Sequence, residues 1–222
     1  MTPLLAMGLL LWGSIVAVDL VTVPQGLLSR PLVAATVAGA MAGNLLAGLM
    51  VGAVLELYAL EVLPIGASRY PDYGPASVAA GATVALVPPA SIGVAGLVAL
   101  PLAVLGGWSL HLHRRHNARS IEAKIGLVTA GDARALWHLQ REGLLRDVRR
   151  GLALSLAGLT VAWIVSLIPW NAIAGMAVLD GAVLAGGIAA ALGGALRSAG
   201  AGARRRWLTV GLATGLVVAL WQ

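Results

Sequence analysis

The polar residues best placed to do chemistry lie along one apolar stretch, Arg30 to Pro75, where Asn44, Glu56, Glu61, Arg69 and Asp72 interrupt a run that is otherwise fit for a membrane. A carboxylate in such surroundings is costly to desolvate, so its default reading is a functional one. Glu56, within LELYALE, has apolar neighbours on both sides and is the candidate for the interior. Glu61 follows five residues later, on a different helix face and close to Pro64, and reads as interfacial. Asp19 and Gln25 close the first apolar run, and Asp19 suits either a helix end at the interface or a polar cavity. Arg69 and Asp72 are near enough in sequence to pair as a loop ion pair of little energy. Alternatively, the broken backbone around them lines a cavity, the setting in which non-helical backbone is tolerated at membrane depth. Asp180, in a later apolar run, has no visible partner in the sequence.

Other chemistries are poorly supported. His111, His113 and His116 lack a convincing metal-ligand spacing, and there is no cysteine to complete a site, so neither metal nor cofactor is expected. The same absence removes thiol nucleophiles and disulfides. No P-loop and no nucleophile constellation is present, so no catalytic residue is assigned.

These side chains need elements to carry them. The first span is expected over Thr2 to Thr22; without a basic region before it, it is expected to stay as a helix. From Pro31 to Leu55 there is no charge, and small residues recur at four-residue spacing, with Gly39 and Gly43, then Gly48 and Gly52, as candidate helix-packing positions. A turn at Asn44 would leave two arms of about 13 and 16 residues, each short for a hydrocarbon core of about 30 Å at about 1.5 Å per residue. Pro64 to Pro75 is a turn-rich connector. The next charge-free run, Tyr73 to Leu110, is 38 residues, which as one straight helix would reach about 57 Å. Pro88-Pro89 is expected to divide it, and Pro101 to kink its second part. Broken apolar segments of this kind point to a transporter.

Residues 111–150 hold nine Lys or Arg and four Asp or Glu. They are expected to form a cytoplasmic, amphipathic arm along the membrane surface or against a neighbour. Within it, Asp132 can cap a helix starting near Ala133, and Glu142 precedes Arg146 by a favourable four residues. Gly151–Ile168 and Ala172–Leu192 read as a hairpin of spans joined at Pro169-Trp170-Asn171. Arg197 and Arg204 to Arg206 mark a second cytoplasmic loop, and a last span, Trp207 to Trp221, would end outside. At 222 residues, 59% hydrophobic, with a mean hydropathy of +0.89, the chain reads as one multi-pass membrane domain, 1–222. Its net charge of +6 lies beside apolar spans, which indicates positive-inside topology rather than nucleic-acid binding. The fold class is therefore an all-α integral membrane protein, a polytopic helical bundle with broken or re-entrant helices and an amphipathic cytoplasmic arm.

The runs SRPLVAATVAG, GLMVGAVLELYAL and PIGASRYPDYGPASV resemble the membrane IIC subunit of the mannose/fructose/sorbose family of bacterial sugar phosphotransferase systems. The resemblance is most specific from Asp19 to Val78. It implies a sugar permease subunit of the bacterial cytoplasmic membrane, working in a multi-subunit assembly with a IID membrane subunit and soluble IIA and IIB proteins. In that family IIB donates a phosphoryl group from a histidine to the sugar, so the IIC subunit is not itself the enzyme. Glu56 matches the family's Leu-Glu position and Asp72 its Pro-Asp position; Asp19, Gln25 and Arg30 match the segment running from Asp to Arg-Pro. Glu56 and Asp72, then Gln25 and Asp19, are thereby implied as acceptors for sugar hydroxyls. Asn44 departs from the family's frequent Asp, and after the one span beyond the Arg204 to Arg206 loop longer members continue for another. The rival reading is a non-transporting scaffold or regulatory subunit retaining the fold; a membrane-embedded enzyme would need clustered Asp and His ligands, which the sequence lacks.

Overall fold

The structure is a computed structural model of the 222-residue chain. It describes residues 1–62, 69–87, 91–173, 175–198, 202, 205–207, 209 and 210. Pro64, Gly66, Pro88-Pro89, Arg204 and most of the expected last span lie outside the described residues.

Helix α1, Pro3–Asp19, starts at Thr2, whose hydroxyl accepts from Leu5 N, with Pro3 at the first helical position. Arg30-Pro31 opens α2, Pro31–Met41. The chain then turns at Gly43, which has a φ of +90°, and Asn44 caps α3, Leu45–Leu60, by accepting from Ala47 N. Asp72 caps α4, Tyr73–Leu86. Ser91 caps α5, Ile92–Thr129, and Asp132 caps α6, Ala133–Ser166, through Arg134 N and Ala135 N. A short 3-10 turn, Trp170–Ala172, leads to α7, Met176–Ser198. Among the described residues there is no strand. Helices α5, α6 and α7 are long and apolar enough to cross a membrane, while α1, α2 and α3 are shorter apolar helices.

Helix α4 is the centre of the bundle. It packs against α1, α2, α3, α5 and α6, and every residue from Gly74 to Val84 is buried. Its two faces serve two apolar clusters. Ala76, Ala79, Ala80 and Val84 join α2, α3 and α5 through Ala35, Val51, Leu55, Ala95 and Val98. Val78 and Ala82 join α1, α2 and α6 through Leu9, Val16, Ala34 and Leu159. Small side chains are what allow so many neighbours to approach one short helix.

Helices α2 and α3 meet as closely. A Cβ on Gly39 would stand 2.7 Å from Gly48 Cα, and one on Gly52 would stand 2.9 Å from Pro31 O. Gly43 does something else: nothing lies within 4 Å of it, and it supplies the left-handed turn residue between the two helices.

The polar arm differs from expectation in its boundaries. Neither His111 nor Arg150 ends a helix: α5 runs through Pro101 and on to Thr129, and α6 runs from Ala133 to Ser166. The arm is therefore the projecting end of two long antiparallel helices, joined by a turn at Ala130 and Gly131. Glu142 bridges Lys124 at 3.3 Å and Arg146 at 3.2 Å across and along this hairpin.

Candidate functional site

Three chain segments meet where α1 ends and α4 begins. The first is the loop after α1, wound around buried Asp19. Its Oδ1 accepts from Gly26 N at 2.6 Å and its Oδ2 from Ser29 N at 2.9 Å. These two bonds pair backbone donors that lie outside any helix. Gln25 is exposed and donates to Val21 O at 3.3 Å, within the same loop.

The second segment carries Asp72, which is buried to 1% exposure. Its N–H donates to Ala103 O at 2.8 Å, its Oδ1 accepts from Gly74 N at 3.2 Å, and its Oδ2 accepts from Arg150 Nη1 at 2.6 Å. The third segment is the middle of α6. There Arg150 also donates through Nε to Asp147 Oδ1 at 3.0 Å and through Nη2 to Ala17 O at 3.2 Å. Asp147 Oδ2 accepts from Thr22 Oγ1 at 2.7 Å. One guanidinium thus compensates two buried carboxylates and holds the end of α1, the start of α4 and α6 together, with each donor aimed at its own acceptor.

Glu56 stands apart from that network. It pairs with Arg30 and accepts from Leu32 N at 3.2 Å, so it satisfies one of the orphan donors at the N-terminus of α2. Its side chain keeps 18% exposure. Between the Glu56–Arg30 pair and the Asp72 segment lies a cavity of about 80 Å³, whose polar lining includes Ser29, Arg30, Tyr70 and Tyr73. That is far below the roughly 300 Å³ at which ligand pockets usually begin. At that size the cavity is too small for a sugar.

The remaining charges of the stretch are tied elsewhere. Arg69 does not pair with Asp72; its Nη2 lies 3.4 Å from His111 Nε2. Tyr70 receives the Arg114 guanidinium at its hydroxyl, and the same group stands 4.9 Å from its ring centre. Glu61 pairs with Arg197 of α7. Asp180 does have partners: it accepts from Ser91 Oγ at 2.6 Å and Gly93 N at 2.7 Å, fastening α7 to the start of α5. Among the described residues no group of three or more His, Cys, Asp or Glu is placed to hold a metal ion.

Sequence reasoning passed over Arg150, Asp147, Thr22 and Arg114. The available signal was Asp147 and Arg150 three residues apart, where the charged run gives way to the apolar one. Two ionisable groups on one turn at that border are positioned to enter the bundle together.

The profile of a family described as the PTS system sorbose-specific IIC component matches residues 4–198. The PTS system sorbose-specific EIIC component of Klebsiella pneumoniae is 42% identical over 77 residues, which are 35% of this chain and 29% of that protein. The mannose-specific EIIC component of Escherichia coli strain K12 is 38% identical over 77 residues, again 35% and 29%. The aligned part thus spans under a third of these curated relatives. Among solved structures, one described as a membrane protein superposes with a TM-score of 0.71 at 23% identity, covering 99% of this chain and 91% of that one. The mannose transporter ManYZ in complex with microcin E492 superposes with a TM-score of 0.56 at 21% identity, covering 97% and 87%. These likenesses establish the helical membrane fold, and the profile match over most of the chain establishes that it belongs to the family of PTS sorbose-specific IIC components.

Proposed function

We propose that this chain is the sugar-translocating subunit of a phosphoenolpyruvate-dependent phosphotransferase system of the mannose/fructose/sorbose type. It works in the bacterial cytoplasmic membrane with a IID membrane subunit, and soluble IIA and IIB proteins supply the phosphoryl group. The observation that carries this reading is the seam between the Asp19 loop, Glu56–Arg30 and the Asp72 segment. Its small cavity is lined by Ser29, Arg30, Tyr70 and Tyr73; Glu56 adjoins it through its pair with Arg30, and Asp72 lies between the lining residues Pro71 and Tyr73 in sequence without itself lining it. A neutral sugar is held by such hydrogen-bonding groups rather than by charge pairing.

In this reading Glu56 and Asp72 accept from sugar hydroxyls once the seam opens. The cavity of about 80 Å³ has to widen for that, and the Asp19 loop, which supplies Ser29, is one of the segments that line it. Asp19 and Gln25 act through that loop, Asp19 by holding its backbone donors. Arg150 is a positioning residue that sets the orientation of the Asp72 carboxylate.

Asn44, the departure that favoured a scaffold, has a structural role here. Its side-chain oxygen caps α3, a task that Asn and Asp perform about equally. Asn44 therefore gives the scaffold reading no support.

Uptake and phosphorylation of labelled sugar by cells carrying Glu56→Gln or Asp72→Asn tests the site. Losing a hydrogen bond to a charged acceptor costs about 1.5–3 kcal/mol, or roughly a 10- to 100-fold weaker apparent affinity. Unchanged uptake by both variants, at equal amounts of protein in the membrane, would sink the assignment.

A further inference from the structure

The projecting hairpin made by the end of α5 and the start of α6 is built unlike the rest of the molecule. Between His111 and Arg146 only Ala135 is buried. Two helices form a single layer, and a single layer has to cover its apolar stripe against something else. Here it is uncovered: Ile121 is 49% exposed, Ile125 51%, Leu136 48% and Trp137 64%.

The uncovered surface has a shape. Along one side of the hairpin runs a groove of about 390 Å³, with Ile121 and Val128 of α5 facing Leu136, Leu139 and Leu144 of α6, closed at its base by Val21 and Thr22. Asn117, Ile121 and Val128 recur at four and seven residues, and Leu136, Leu139, Gln140 and Gly143 at three, four and seven. Each set is one face of its helix. A third helix lying between them would complete a small three-helix bundle.

Charge decides which third helix. The arm carries nine Lys or Arg against four Asp or Glu. Three of those carboxylates are engaged: Asp132 caps α6, Glu142 bridges Lys124 and Arg146, and Asp147 is buried against Arg150. Arg115, Arg119, Arg134, Arg141 and Arg149 are exposed. A second copy of the arm would bring the same positive surface and be repelled, whereas an acidic partner is attracted and steered. Anionic lipid shares the favourable sign. However, α5 continues unbroken from its apolar part to Thr129, so the 17 residues from His113 to Thr129 extend roughly 25 Å beyond it at about 1.5 Å per residue. A hairpin standing along the span direction offers its groove to a protein rather than to a bilayer surface.

We infer that this groove is a docking site for an acidic amphipathic helix of a protein partner on the basic side of the membrane. The inference holds whether or not the seam moves a sugar.

The chain has no cysteine, so Ile121→Cys and Leu136→Cys can each carry an environment-sensitive maleimide dye on the full protein in nanodiscs of phosphatidylethanolamine. Four probes are added separately: a designed helical peptide with a leucine stripe and glutamates elsewhere, the same peptide with lysines for glutamates, phosphatidylglycerol vesicles, and unlabelled protein. The glutamate peptide is expected to shift both dyes, and its binding is expected to weaken with added salt. Paired Arg134→Glu and Arg141→Glu substitutions at exposed positions are expected to reduce that binding by about ten-fold or more, with the size-exclusion profile unchanged. Three results would overturn the inference: no response to the glutamate peptide, an equal response to the lysine peptide, or a full response to vesicles or unlabelled protein without it.

Discussion

Arg150 is the residue on which most of the buried polar order depends. Its three nitrogens address Asp72, Asp147 and Ala17 O, and both carboxylates are fully enclosed. Arg150→Ala leaves two buried charges without compensation, which costs about 3–5 kcal/mol. The expected outcome is a marked fall in the thermal unfolding midpoint in detergent. Arg150→Lys is expected to recover only part of that loss, since an ammonium is one point and lacks the planar fork. Combining Arg150→Met with Asp72→Asn and Asp147→Asn is expected to be milder than Arg150→Ala alone; a harsher result would count against the charge argument. Thr22→Val removes the hydroxyl that donates to Asp147 and is expected to cost about 1.5–3 kcal/mol. Much of this was hidden in the sequence. Asp72 stood out because a carboxylate amid apolar residues needs a reason, but its partner lies 78 positions away. Arg69, three positions away, was the only visible candidate and points to His111 instead. Tertiary pairing of that span leaves no local signature.

Among the elements, the α2–α3 hairpin was legible and the arm was only half legible. Asn44 announced the turn, and the four-residue spacing of small residues announced a close helix pair. That spacing misled at Gly43, because α2 has already ended at Met41 and the glycine serves the turn. The two kinds of glycine therefore predict different responses. Gly48→Leu has no room, since even a Cβ would stand 2.9 Å from Gly39 Cα; over-packing is expected to cost about 1–3 kcal/mol. Gly43→Ala has room but strains a φ of +90°, and is expected to cost about 1–2 kcal/mol, with Gly43→Asn milder because Asn tolerates that region. Thermal unfolding of the variants in one detergent checks the set. The arm's expected boundaries rest on charge ending a span, and the helices run past them. Charge does not end a helix; breakers do. The run from His111 to Thr129 holds no Pro, and α5 continues to Thr129, just ahead of Gly131, at a φ of +82°, and the Asp132 cap.

At the scale of the whole molecule, cohesion is uneven. Among the described residues helix α7 packs chiefly on α3 and α5, and 11% of its most apolar window is buried inside the chain. Tyr58 donating to Val183 O at 2.8 Å and the Glu61–Arg197 pair hold it to α3, while Asp180 holds it to α5. Val178, Leu184, Ile188 and Leu192 face outward. If a membrane partner covers part of this surface, binding stabilises the folded form by mass action. Purification together with a IID subunit is therefore expected to raise the unfolding midpoint over that of the chain alone; an unchanged midpoint in a complex that stays intact would argue against such coverage. The opposite extreme is α4, whose residues from Gly74 to Val84 have no face left for lipid. That has a consequence for biogenesis. A segment gains from hydrocarbon only through side chains that touch it, and Gly, Ala, Ser and Thr offer the insertion machinery little. At 14 residues, roughly 21 Å at about 1.5 Å per residue, Tyr73–Leu86 is short for a hydrocarbon core of about 30 Å, and it is expected to settle stably only against α5 and α6, which follow it in the chain. The centre of the folded protein is thus expected to depend for its placement on helices made after it.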